Sequence, residues 1–183
     1  MGVALDKARL FNETQEALQR QTASAEVLRV LGRSMTDTQP VFDAIVHNCG
    51  GLFDDSRVVL WLIDGDRLHA RASNGGLPSE TIPLDRSSPI GACAVDARTV
   101  HLKDLQAAAD QYPLVRRFGL AGGFRTGVHA PLVRDGRAIG GLAVLRREVG
   151  SFNDKDVALL GSFTDQAVIA IENVRLFNET KEA

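Results

Sequence analysis

From residue 58 to residue 63 the chain reads Val-Val-Leu-Trp-Leu-Ile, apolar at every position. Both alternating sets, Val58/Leu60/Leu62 and Val59/Trp61/Ile63, are hydrophobic, which predicts a strand whose two faces are both covered. Asp64-Gly65-Asp66 then gives a turn signal, and residues 67–73 read as the returning strand of a hairpin. The same arrangement recurs later: residues 126–134, the turn Asp135-Gly136, and residues 138–145.

Helical patterns flank these hairpins. Residues 5–36 lack proline, contain only Gly32 as a breaker and are rich in Ala, Leu, Gln, Glu and Arg, so they read as one long helix. Its apolar stripe is narrow: Phe11, Leu18, Ala25 and Leu28 follow heptad-like spacing, but Thr14 and Gln21 interrupt it. A second helix starts after Thr38-Gln39-Pro40, with proline suited to a first turn, carries Val41, Phe42, Ile45 and Val46, and ends near Gly50-Gly51. The last helix starts at Asn153, a natural N-cap, with Asp154 and Asp156 at the positive end of its dipole. Along it Leu160, Phe163, Ala167, Ala170, Val174 and Phe177 are spaced 3, 4, 3, 4, 3. Such a seam predicts packing over the whole length, partly on the sheet and partly on another helix. Residues 74–124 are less regular, cut by Asn74-Gly75-Gly76, Pro78, Pro83, Pro89 and Gly91; a short helix near 92–97, an extended piece at 99–102 and a helix over 107–118 are expected there.

The order of elements gives an α+β layout with one antiparallel sheet. A length of 183 residues allows one domain plus terminal helix. Composition adds exclusions: 21 basic and 23 acidic residues are well mixed, so the net charge of −2 offers no attraction for nucleic acid or an anionic membrane. No run approaches the roughly 20 apolar residues of a membrane helix, and the N-terminus lacks a secretory pattern, so a cytoplasmic location without membrane insertion is expected. Cys49 and Cys93 lack metal or redox spacing and read as isolated reduced thiols.

The two ends share a sequence. Arg9-Leu10-Phe11-Asn12-Glu13-Thr14-Gln15-Glu16-Ala17 recurs as Arg175-Leu176-Phe177-Asn178-Glu179-Thr180-Lys181-Glu182-Ala183, identical at eight of nine positions. Helix propensity does not demand the shared Phe and Asn. A repeated domain-plus-linker unit in a longer protein explains the match, and a Phe on a polar helix calls for burial against another copy. A homodimer joined through the terminal helices is therefore expected.

Three segments resemble the GAF family: residues 56–63; His129-Ala130-Pro131-Leu132 running through Asp135-Gly136-Arg137 to Gly140-Gly141-Leu142-Ala143-Val144; and Phe152-Asn153-Asp154-Lys155-Asp156 leading to Asp165-Gln166-Ala167 and Ile171-Glu172-Asn173. The resemblance covers nearly all of residues 24–177. It implies a GAF-like, PAS-related central antiparallel sheet of five or six strands, with the terminal helices on one face and, on the other, a ligand pocket roofed by residues 74–124. It also implies a sensory and dimerising part of a multidomain signalling protein of sensor histidine kinase type, within a two-component system. The expected division is a linker helix over 1–23, the GAF domain over 24–173 and the start of a second linker, of coiled-coil type, over 174–183. The alternative is a structural dimerisation or relay module without a ligand.

Catalysis finds little support. Cys93 with His101 or His129 would make a thiolate and base, but Cys93 sits between Ala92 and Ala94 and reads as a small buried hydrophobe. Family members that attach a bilin do so through a cysteine followed by histidine, or through Asp-x-Cys-Phe. Cys93 is followed by Ala94 and Cys49 by Gly50, so no covalent bilin is expected. Cyclic-nucleotide-binding members carry a dispersed Asn-Lys-Phe-Asp-Glu set, whereas the contiguous 152–156 run reads as a helix cap. Methionine sulfoxide reductase members use several pocket cysteines. Gly75-Gly76 and Gly122-Gly123 fit no phosphate-loop pattern and read as turns or hinges. His47 sits in an amphipathic helix and reads as a surface or boundary residue, His69 has no partner at ligand spacing, and no metal site is expected. For a non-covalent pocket the candidates are Trp61, Ser73, Phe118, Arg125, Thr126 and His129: Arg to pair an anion, Trp or Phe to stack on a ring. The seam residues of the last helix, together with Phe11, Leu18, Ala25 and Leu28, are the candidates for the dimer and signalling contact.

Overall fold

The structure, a computed structural model, describes residues 38–182. The helix expected over 5–36, with Phe11, Leu18, Ala25 and Leu28, and the first copy of the repeat lie outside the described residues.

Helix α1 (Gln39–Leu52) leads into a hairpin of β1 (Arg57–Asp64) and β2 (Arg67–Ser73). A short β3 (Ile82–Pro83), α2 (Pro89–Asp96), β4 (Val100–Leu102) and α3 (Val115–Phe118) follow, then a single 3-10 turn at Leu120–Gly122. The second hairpin joins β5 (Thr126–Arg134) to β6 (Arg137–Arg146), and α4 (Asp154–Glu182) completes the described chain. The strands form one antiparallel sheet in the order β3-β2-β1-β6-β5-β4. At the turn of the second hairpin Asp135 and Gly136 both have left-handed φ, 51° and 76°, as a tight two-residue turn that follows the twist of its strands requires.

Each face of the sheet has its own cover. Val58 and Leu60 of β1, Val128 and Ala130 of β5 and Leu142 and Val144 of β6 point to α1 and α4, meeting Ile45, Phe53, Leu160 and Phe163 in the larger core. Val59, Trp61 and Ala143 point the other way, toward α2. A bulge holds this split along β2. Leu60 pairs with Ala72 but Trp61 with Ala70, so Arg71 is an extra residue. Ala72 therefore joins the helix-side core while Leu68 packs on the opposite side. Gln39 Nε2 donates to the bulge carbonyl of Arg71 at 2.7 Å, tying α1 to it.

The start of α4 is fixed by a reciprocal cap. Asp156 N–H donates to Asn153 Oδ1 at 2.9 Å, and Asn153 N–H donates to Asp156 Oδ2 at 3.0 Å. The run at 152–156 is thus a helix cap, as its composition predicts. Phe152 anchors the cap in the core: its ring meets Phe53 edge-on at 6.1 Å, and the Arg146 guanidinium lies 4.4 Å from its centroid.

Two expectations change. The helix expected over 107–118 is a series of turns followed by only Val115–Phe118. Pro113 lies within that span, lacks an N–H and crowds the preceding turn, which breaks a continuous helix. The seam of α4 is spent inside the chain: Leu160, Phe163, Ala167, Ala170 and Val174 are buried in the core with α1 and the sheet, and Phe177 is half-buried. Those buried side chains are therefore not a surface for another copy. The large exposed hydrophobics of α4 are Ile169 and Leu176, one heptad apart and 53% and 51% exposed.

Candidate functional site

Between the sheet and α2, α3 and their loops lies a cavity of about 430 Å³. Its floor is Val59 and Trp61 from β1, His129 from β5 and Ala143 and Leu145 from β6. Leu105, Leu114, Val115, Phe118 and Phe124 wall it, with Ile82, Ser88, Pro89 and Ile90 at the side of α2.

Local sequence explains why α2 comes so near the sheet. Ser88 Oγ caps the helix by accepting the Gly91 N–H at 3.0 Å, and Pro89 needs no partner at the first turn. A Cβ at Gly91 would stand 2.2 Å from the Asp85 carbonyl oxygen, so only glycine passes beneath that loop. Ile90 in turn lies over Gly141, where a Cβ would come within 2.7 Å of its Cδ1.

Arg57, Arg117 and Arg147 also line the cavity. Arg57 Nη2 donates to the Gly76 carbonyl, and burial lowers its pKa from the ordinary guanidinium value. Arg147 Nη1 donates to the Gly122 carbonyl at 2.9 Å, and its guanidinium lies 4.9 Å from the Phe124 ring centroid. Arg117 pairs with Glu80 at 2.7 Å, joining the loop before β3 to α3.

His129 is the buried polar group of the floor, 5% exposed. Burial pulls its pKa down to about 4, with the charge of His101 adding slightly and a hydrogen bond to the Val100 backbone opposing. The imidazole is therefore neutral at pH 7. Its Nδ1 has no hydrogen-bond partner among the described residues.

Of the residues proposed from sequence, Trp61, Phe118 and His129 line this cavity and Ser73, Arg125 and Thr126 do not. Ser73 Oγ accepts the Gly75 N–H, Arg125 pairs with Asp104 at 3.1 Å, and Thr126 Oγ1 donates to the Leu102 carbonyl at 2.8 Å. Each is occupied by local structure. Sequence reasoning missed Arg57, Arg117, Arg147 and Ser88. Arg57, immediately before the apolar β1 run, and Arg147, just after the end of β6, carried a readable signal: a charge at the edge of an otherwise covered strand. Phe118 and Phe124 border the cavity without filling it.

The two cysteines stand apart from it. Cys49 is fully buried in the helix-side core and Cys93 in α2, and burial raises both thiol pKa values, that of Cys93 to about 12. Among the described residues no cluster of three or more His, Cys, Asp or Glu could hold a metal ion, and no helix is long and apolar enough to cross a membrane.

A family model described as GAF domain matches residues 36–172. Among solved structures, the chain is similar to the GAF domain of phosphoenolpyruvate-protein phosphotransferase from Acinetobacter, at 14% identity and a TM-score of 0.73, covering 88% of this chain and 95% of that one. It is similar to free methionine-R-sulfoxide reductase from Neisseria meningitidis in complex with its substrate: 23% identity, TM-score 0.67, 84% and 92% covered. The GAF domain region of a putative membrane protein from Geobacter sulfurreducens is 25% identical, with a TM-score of 0.63 and 79% and 98% covered. A search of curated protein sequences returns no match.

Proposed function

Because the chain belongs to the GAF domain family, a fold of sensory and regulatory modules, we propose that it is the non-enzymatic sensory domain of a multidomain cytoplasmic signalling protein of histidine kinase type. A small molecule enters the cavity, and α4 carries the result to the next domain. The observation that carries this reading is the sharing of strands between cavity and helix. His129 faces the cavity while its neighbours Val128 and Ala130 sit in the core with α4. Farther along β5, Arg134 pairs with Glu172 of α4 at 2.7 Å. A shift of the floor by a ligand thus reaches α4 within one residue of strand, and a ligand that favours one of two α4 packings biases the output.

An enzymatic reading draws on the reductase among the similar structures. Here neither cysteine lines the cavity, and both thiols are held protonated at pH 7. A thiolate nucleophile is therefore not offered to a ligand.

The protein acts as a homodimer through its terminal helices. With the α4 seam spent in the core, the partner helix packs on the face bearing Ile169 and Leu176, and the repeat at residues 9–17 and 175–183 marks successive linkers of the same kind. Native mass spectrometry of the chain purified from cells tests both parts. A dimer carrying a retained small mass is expected, and the double change I169E/L176E should yield monomer. An empty monomer from the unaltered chain would overturn the reading.

A further inference from the structure

Taking the cavity as the sensing site, as proposed above, we infer that its ligand is a small aryl carboxylate that also carries a hydroxyl or N–H donor, with the acid at the arginine-lined side and the donor against His129.

The shape and lining set the body of the ligand. About 430 Å³ is in the lower part of the range for small-molecule sites, roughly 300–1,000 Å³. It suits one ring system with a short arm. Trp61, Phe118 and Phe124 give the cavity aromatic surfaces on floor and wall, which favours a flat ring over a branched aliphatic chain.

The charges set the acid. Three guanidiniums line the cavity, and among the described residues no carboxylate does. Arg117 is already neutralised by Glu80. Arg57 and Arg147 hold only the backbone carbonyls of Gly76 and Gly122, and neither has a carboxylate partner among the described residues. Replacing a neutral carbonyl by a carboxylate on those donors gives the stronger, charge-assisted bond. A phosphate would gain from free backbone N–H groups, but the start of α2 offers few: Pro89 has none, and the Gly91 N–H is taken by Ser88 Oγ. The lining thus favours a monoanion.

The buried histidine sets the donor. His129 lines the cavity as a neutral imidazole, whose ring carries one acceptor nitrogen, and its Nδ1 has no hydrogen-bond partner among the described residues. A buried acceptor without a partner is costly, and a ligand hydroxyl or N–H relieves that cost. The pattern is the one expected of a specificity contact: a ligand lacking the donor leaves the imidazole acceptor unsatisfied.

Trp61 is the single tryptophan of the chain and lines the cavity, so its emission reports occupancy directly. Titration of the full chain with 4-hydroxyphenylacetate should change that emission saturably. Phenylacetate, which lacks the donor, and 4-hydroxyphenethyl alcohol, which lacks the acid, should each bind about tenfold or more weakly. The double change R57Q/R147Q should erase the preference for acid over alcohol, and H129F the preference for the hydroxyl; the comparison of probes on the unaltered chain needs neither variant to fold. Equal binding of acid and alcohol, or no saturable response to any of these probes, would overturn the inference. Hydrogen exchange of α4 with the bound probe separates the two readings. Selective acid binding without altered α4 exchange keeps the ligand class and sinks the relay; tight binding of neutral p-cresol with altered exchange does the reverse.

Discussion

On one face of the sheet Val58, Leu60, Leu142 and Val144 have no exposed surface and pack beneath two long helices. On the other face, one residue away along the same strands, Val59, Trp61, Ala143 and Leu145 meet short helices, turns, an open cavity and a buried imidazole. The helix face is filled and apolar, which is where close packing contributes most to stability. The cavity face gives up dispersion contacts and carries an unsatisfied polar atom, both of which cost stability. Strand alternation lets one sheet hold both without compromise: from Leu142 to Leu145 of β6, a substitution at an even position acts on the fold, and one at an odd position acts on the site.

The sharpest break in that division would come from truncations. Leu142→Ala, in the filled face, should cost about 2–5 kcal/mol by urea denaturation, because it removes transfer energy and leaves a hole that two long helices cannot collapse. Phe118→Ala, at the half-buried wall of an existing cavity, should cost about 1 kcal/mol or less. Equal losses would mean that the roof supports the fold as much as the helices do.

Next in size is the pH dependence of the cavity face. Burial lowers the folded pKa of His129 to about 4 from its ordinary value of 6.5. Between those values the unfolded chain binds a proton that the folded one refuses, so stability falls as pH drops from about 6.5 to about 4 and is level in this respect above that window. The loss should reach at most about 3 kcal/mol across the window. Urea midpoints for the unaltered chain and H129F, measured between pH 7 and pH 4.5, isolate the term by difference. Parallel curves would mean that the imidazole is not held neutral. The influences on it pull in different directions: burial, and to a smaller extent the charge of His101, disfavour a proton, and the Val100 backbone favours one.

Gly91→Ala should cost about 1–3 kcal/mol, since its Cβ would collide with backbone oxygen of Asp85 rather than with a flexible side chain. The effect should be local to the cavity face. Exchange protection of α4 should remain as before; a loss there would mean that the two covers of the sheet fold as one unit.

The helix face was the legible one. Its signals are periodic: the doubly apolar β1, the Asp-Gly turn of the second hairpin, the Asn153 cap and the seam from Leu160 to Val174 all appear where the spacing puts them. What the spacing leaves undecided is the partner, and a 3-4 seam looks the same whether it meets a sheet or another helix. The cavity face is written in non-periodic segments, where Pro113 cuts a helix and Ser88 caps another, and its charges come from Arg57, Arg117 and Arg147 on separate elements. No sequence spacing joins those three; only the fold does. Arg125 and Thr126 are polar groups at the start of a strand beneath the roof, which makes them pocket candidates by sequence, yet they serve Asp104 and the Leu102 carbonyl.

The smallest effect concerns the link between the faces. The Arg134–Glu172 pair is partly exposed, with side chains at 39% and 18%, so Arg134→Gln should cost only about 0.2–1 kcal/mol of stability. The Glu172 carboxyl is held below its ordinary pKa by Arg175 first and Arg134 second. If the Arg134–Glu172 pair transmits the state of the floor, R134Q should leave the affinity for a cavity ligand near its original value while shrinking the ligand-induced change in exchange over residues 172–180. An undiminished change would place the coupling instead in the core contacts of Val128 and Ala130 with α4, where strand and helix already touch without the ion pair.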